Sequence, residues 1–110
     1  MQNKLSKLQK VSLLYIGVEA NRTQSNYIKR RALTDGLVGI LAIENSDKKK
    51  FFVSLTNSVR SLMNRGLLSK RATFIGLTKE GKENAREVRE EIISLYGNIN
   101  WDVVSEYYGS

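Results

Sequence analysis

The chain has 110 residues, with 18 Lys+Arg against 11 Asp+Glu and no His, Cys or Pro. That length suits one domain with a single core, and 41% hydrophobic with 26% charged residues is a globular rather than a disordered composition. Without Cys there are no disulfides or thiolate metal sites, and without His an enzyme would rest on carboxylates alone, so neither catalysis nor a cofactor is expected.

Near the N-terminus Lys4, Lys7 and Lys10 precede the apolar block Val11–Val18. This imitates a secretory signal, but Glu19 follows directly and the small-x-small cleavage pattern is missing. Leu5, Leu8, Val11, Tyr15 and Val18 recur at spacings of three and four, which predicts a helix ending at Asn21–Thr23. Leu13, Leu14 and Ile16 widen its apolar face almost all round, so the helix should be central to the fold or to a dimer. No apolar run approaches the roughly 20 residues that cross a bilayer, and a cytoplasmic protein is expected.

A second helix is predicted from about Ser25, carrying Tyr27, Ile28, Leu33, Leu37, Ile40 and Leu41, with a break near Thr34–Gly36. The run from Gly36 to Ile43 could instead form a short buried strand. Asn45–Lys50 reads as a polar loop ending in three lysines. Ser54 then stands as N-cap of a short amphipathic helix, Leu55–Arg65, with Leu55, Val59 and Leu62 inward and Gly66 as terminator. Leu67–Leu77 reads as two short strands around a basic turn. Thr78 caps a long helix whose Ala85, Val88, Ile92, Leu95 and Ile99 form a heptad-like seam. Trp101, Val104, Tyr107 and Tyr108 add a last apolar face.

Charge is unevenly distributed. Residues 1–75 carry 14 Lys+Arg and 4 Asp+Glu, a net +10, whereas residues 76–110 carry 4 and 7, a net −3. A basic body suits a polyanionic partner, although membrane surfaces and acidic proteins attract the same patch.

The stretch Leu62-Met63-Asn64-Arg65-Gly66-Leu67 resembles the "Leu-x-x-Arg-Gly-Leu" end of the recognition helix in winged-helix regulators of the MarR and PadR types. Leu77-Thr78-Lys79-Glu80-Gly81 resembles the "Leu-Thr-x-x-Gly" that closes their wing. The resemblance covers about Ser54–Ala85. It implies a winged helix-turn-helix, mainly α with a small β-hairpin (α+β). The expected organisation is a single domain over residues 1–110, with helical extensions at 1–20 and 79–108 used in dimerisation. It also implies a sequence-specific double-stranded DNA-binding transcriptional regulator. The recognition helix, about 54–65, would lie in the major groove, and the basic wing, about 67–78, on the backbone or in the minor groove. The hairpin departs from the MarR pattern by lacking the Asp of its Asp-x-Arg element, which leaves Arg71 as the one residue for that role.

The residues support the same reading without the family. A helix with Leu55, Val59 and Leu62 inward turns Thr56, Asn57, Arg60, Ser61 and Asn64 outward, and no acidic residue occurs from Lys48 to Thr78. In the major groove Arg pairs bidentately with guanine and Asn with adenine. Thr56, Ser58 or Ser61 suits phosphate, which fixes register rather than sequence, and Ser54 at the helix start is counted with the DNA-binding residues. Lys70, Arg71 and Thr73 belong to the hairpin contact, and Lys48, Lys49 and Lys50 flank the backbone. Each has a plainer alternative as solvated surface or as charges that block edge pairing. Lys29, Arg30 and Arg31 form a second basic cluster. The Glu87, Glu90 and Glu91 group beside Arg86 and Arg89 reads as a solvated ion-pair face.

The expected partners are double-stranded DNA and a second copy of the chain, since a dimer presents two recognition helices to a palindromic site. Other readings are an RNA-binding winged helix, or a protein-interaction winged helix in a replication or plasmid-maintenance complex. No conspicuous sensor residue marks a small-molecule effector.

Overall fold

In the computed structural model, which describes residues 5–95, the fold is organised around its first helix, α1 (Lys7–Thr23). A reciprocal capping box starts it. Ser6 Oγ accepts the Gln9 N–H at 3.1 Å, and Gln9 Oε1 accepts the Ser6 N–H at 2.9 Å. All six residues from Val11 to Ile16 are then buried, so α1 is enclosed on every side rather than laid on a surface. Ser12 is tolerated there because its hydroxyl donates to the Leu8 carbonyl at 2.7 Å. Gln24 in the left-handed region stops the helix.

The remaining elements follow as strand β1 (Ile28–Lys29), helix α2 (Arg30–Ile40), a short 3₁₀ turn (Asn45–Asp47) and helix α3 (Lys48–Asn64). Strand β2 (Leu68–Arg71), strand β3 (Phe74–Leu77) and helix α4 (Lys79–Leu95) complete it. The chain is mainly helical with a three-stranded antiparallel sheet in the order β1-β3-β2. This agrees with the α+β class expected from sequence and adds a strand to it.

Several boundaries differ from the sequence expectation. The second helix starts at Arg30, not near Ser25, because Ile28 and Lys29 pair with Ile75 and Phe74 of β3. A two-residue strand depends on its distant partner and leaves no local period to read. Neither the break at Thr34–Gly36 nor the strand from Gly36 occurs. Leu33, Leu37 and Ile40 are all buried on one helical face, and that packing outweighs the glycines' cost.

The third helix begins at Lys48, six residues before Ser54. Phe51 is buried one turn ahead of Leu55 and extends the Leu55–Val59–Leu62 stripe backwards. Lys48–Lys50 therefore form the first turn of α3 rather than a loop, and Ser54 is an exposed mid-helix position rather than a cap.

The two strands expected after Gly66 are present, but Lys70 and Arg71 lie on β2 and the tip is Ala72–Thr73. Thr78 caps α4 as expected, its Oγ1 accepting the Gly81 N–H at 3.0 Å. Ala85, Val88 and Ile92 are buried in the core of one chain, and α4 runs antiparallel to α1, with Lys10 pairing to Glu91 at 2.8 Å. The Leu95 side chain, Ile99 and the aromatic face Trp101–Tyr108 lie outside the described residues, as does Lys4.

Thr78 also fastens α3 to the sheet and α4. Its Oγ1 donates to the Gly66 carbonyl at 2.6 Å, and its N–H donates to the Leu67 carbonyl at 3.1 Å. Gly66 takes φ +78° to end α3. Gly81 lets the first turn of α4 pass so close to Leu67 that a Cβ would overlap its carbonyl oxygen. These bonds explain why the Arg-Gly-Leu and Leu-Thr-x-x-Gly segments occur together. They are two halves of one junction. Gly81→Ala should lower unfolding free energy by about 1–3 kcal/mol, read as a lower urea midpoint at unchanged m value.

Candidate nucleic-acid interface

The candidate surface is built on α3. Phe51, Leu55, Val59 and Leu62 anchor one face in the core. By helical geometry the opposite face carries Lys49, Val53, Thr56, Asn57, Arg60 and Asn64, all exposed. Lys50 is also exposed on that side, Ser54 is exposed and Ser61 half-buried at one flank, and Lys48 is half-buried one turn before Phe51, on the side of the buried stripe. Along this face Arg60 Nη1 donates to Asn57 Oδ1 at 3.4 Å, a contact loose enough to open toward a ligand. No carboxylate interrupts α3, β2 or β3, so apart from Val53 the face carries hydrogen-bonding side chains and cations.

The basic residues of the hairpin do not act together as their adjacency suggests. Successive strand residues point to opposite sides of a sheet. Lys70 stands opposite Ile75, on the face whose Ile28, Leu68 and Ile75 pack against the helices. Arg71 stands opposite Phe74 on the outer face, its guanidinium 5.3 Å from the centre of the Tyr27 ring. Tyr27 reaches it by crossing β3 at Gly76, where a Cβ would crowd the ring. Its hydroxyl shares a 3.1 Å hydrogen bond with Ser69. Lys70 therefore extends the helix side of the hairpin, and Arg71 is stacked on the other side.

The structure also gives a central place to Arg30, which the sequence shows only as one of three consecutive cations. Its backbone N–H donates to the Thr73 carbonyl at 2.9 Å. Its guanidinium donates to Thr34 Oγ1 within α2 and to Thr56 Oγ1 on α3 at 3.4 Å. Partial burial lowers its pKa from the ordinary value, but an arginine stays protonated after such a shift. Arg30 thus links α2, the hairpin tip and the outward ridge of α3. Thr73 contributes its carbonyl to that link while its side chain stays exposed. The neighbouring cations divide: Arg31 pairs with Asp35 at 3.7 Å, and Lys29 lies on β1 opposite Phe74. Arg30, Lys29, Phe52 and Thr73 line an open cleft of about 560 Å³ between α2, α3 and the hairpin.

Phe52 and Val53 also belong to the exposed surface. Placing the helix start at Ser54 hides them, since they then precede the helix. The signal was the run Phe51-Phe52-Val53. Once Phe51 joins the buried stripe, its two neighbours must turn away from it.

Among the described residues, no group of three or more Asp and Glu is placed to hold a metal ion, and no helix is long and apolar enough to cross a membrane. Comparison with family models, characterised proteins and solved structures returns no match. The chemistry of the surface therefore rests on its own geometry. Arg30→Met should cost about 1–2 kcal/mol by removing charge-assisted bonds while keeping the aliphatic stem. Chemical denaturation reads that loss.

Proposed function

We propose that this chain is a winged-helix protein that binds duplex DNA sequence-specifically and regulates transcription. The observation carrying this reading is the acid-free outward face of α3, held rigidly by its buried stripe beside a cationic hairpin. An α-helix with its side chains fits the major groove, and Asn57 and Arg60 have the donor and acceptor patterns that read adenine and guanine. The element order and the β1-β3-β2 sheet support the winged-helix assignment by setting a hairpin next to the exposed helix. The recognition helix in this reading is 48–64, so Lys48, Lys49 and Lys50 sit at its N-terminal turn. There they would meet backbone phosphates together with the helix dipole.

The wing contact falls mainly to Lys70, on the helix side of the hairpin, whereas Arg71 is engaged by Tyr27. A two-fold dimer belongs to the same proposal, because two copies of α3 would read a palindromic site about one helical turn apart. Among the described residues, the apolar stripes of α1 and of α4 as far as Ile92 are buried within one chain and are not free for such a contact.

Fluorescence anisotropy on duplexes selected from a random pool tests the reading. Arg60→Ala and Asn57→Ala should each cost about 1–3 kcal/mol on the selected duplex and relax its sequence preference. Lys70→Ala should weaken all duplexes alike and reduce the salt slope by about one, with Arg71→Ala having the smaller effect. Unchanged affinity in the Arg60→Ala/Lys70→Ala double variant overturns the proposal. Tighter retention on structured RNA than on duplex DNA at matched salt would reassign it to RNA. A palindromic motif from the selection, with a dimer mass by sedimentation, is the expected result.

A further inference from the structure

Among the described residues three large apolar side chains are strongly exposed, and two are adjacent on α3: Phe52 is 43% and Val53 62% exposed. Val53 lies near the middle of the outward face, one turn after Lys49 and one turn before Asn57. Phe52 lies on its flank, beside Thr56 and against the cleft that Arg30 and Thr73 line. Local packing does not require this. The buried stripe of α3 is complete without either residue, and solubility would favour polar ones there.

Cations and hydrogen-bonding side chains predominate around the patch, and the one acid lining the adjoining cleft, Asp35, is paired with Arg31, so the charge complement of this surface is a polyanion. An acidic protein would meet the cations, but the patch adjoins the Thr56–Asn57–Arg60 row that suits base edges. In the major groove of duplex DNA the one apolar group on the floor is the C5-methyl of thymine. We infer that Phe52 and Val53 form a thymine-methyl contact, which makes the protein selective for a T·A step beside the bases read by Asn57 and Arg60.

The spacing suits this. Val53 precedes Asn57 by four residues and Arg60 by seven, about 6 and 10 Å along the helix axis. Those distances correspond to about two and three base pairs of B-DNA. Lys48–Lys50 sit a further turn back, where the helix would approach the sugar-phosphate backbone. The contact would add sequence selectivity without adding charge, so it should leave the salt dependence of binding unchanged.

The inference rests on the duplex-binding proposal, and one experiment separates the failure of each. Anisotropy is measured at matched salt for the duplex selected from the random pool and for the same duplex with every thymine replaced by uracil, which lacks only the methyl groups. The wild-type chain should bind the thymine duplex about fourfold more tightly for each methyl covered, the transfer value of one such group. The Phe52→Ala/Val53→Ala variant should bind both duplexes alike, with affinity near that of the wild type for the uracil duplex. Val53→Leu should retain the preference. Because both positions are exposed, circular dichroism should report an unchanged fold for all variants.

Binding of both duplexes with equal affinity by the wild type overturns the methyl contact alone. So does a preference that survives in the double variant, since it would then come from groove shape. Concentration-dependent self-association of the wild type that the double variant loses would assign the patch to a second copy and overturn the contact as well. Failure of the pool to yield a bound duplex overturns the duplex-binding proposal and this inference with it.

Discussion

The enclosure of α1 governs the rest of the structure. Six consecutive buried residues, Val11–Ile16, cannot be covered by one neighbour, because side chains leave a helix in every direction over that span. The chain therefore has to surround α1. The core around it draws on α2, α3, α4 and the sheet. Each neighbour needs only one apolar face to do this, and each has one. For α3 the consequence is direct: Phe51, Leu55, Val59 and Leu62 are committed inward, and the opposite ridge is left for solvent or a partner.

The second constraint is the junction around Thr78. Its hydroxyl and amide bind Gly66, Leu67 and Gly81, so the end of α3, the approach to β2 and the start of α4 are tied together. The hairpin consequently has a fixed position relative to the exposed ridge. Arg30 adds a second tie from the opposite side, between the hairpin tip, α2 and Thr56. A surface supported at both ends keeps its donors in register, which lowers the entropy lost when a rigid partner docks.

Within that frame, neighbouring residues acquire different roles. Lys70 and Arg71 are adjacent in sequence yet project from opposite faces of the hairpin, and only Arg71 meets Tyr27. Among Lys29, Arg30 and Arg31, the first sits on a strand, the second links three elements and the third pairs with Asp35 within its own helix. A net charge counted over the sequence treats these five cations alike. Their positions relative to α3 separate them.

Much of this was readable from periodicity. The all-round apolar block of α1, the Leu55–Val59–Leu62 stripe, the hairpin, the Thr78 cap and the Ala85–Val88–Ile92 seam all follow from spacing, because helices and strands repeat every 3.6 and 2 residues whatever they pack against. Spacing also identified the outward polar residues of α3, since facing away from a known stripe is a geometric necessity. The sequence did not disclose the pairing of Ile28–Lys29 with β3, the extension of α3 back to Lys48, the divergence of Lys70 from Arg71, or the links made by Arg30. Those depend on which distant segments come together. A two-residue strand exists only through its partner, and Phe51 becomes a core residue only where the other elements leave a space for it.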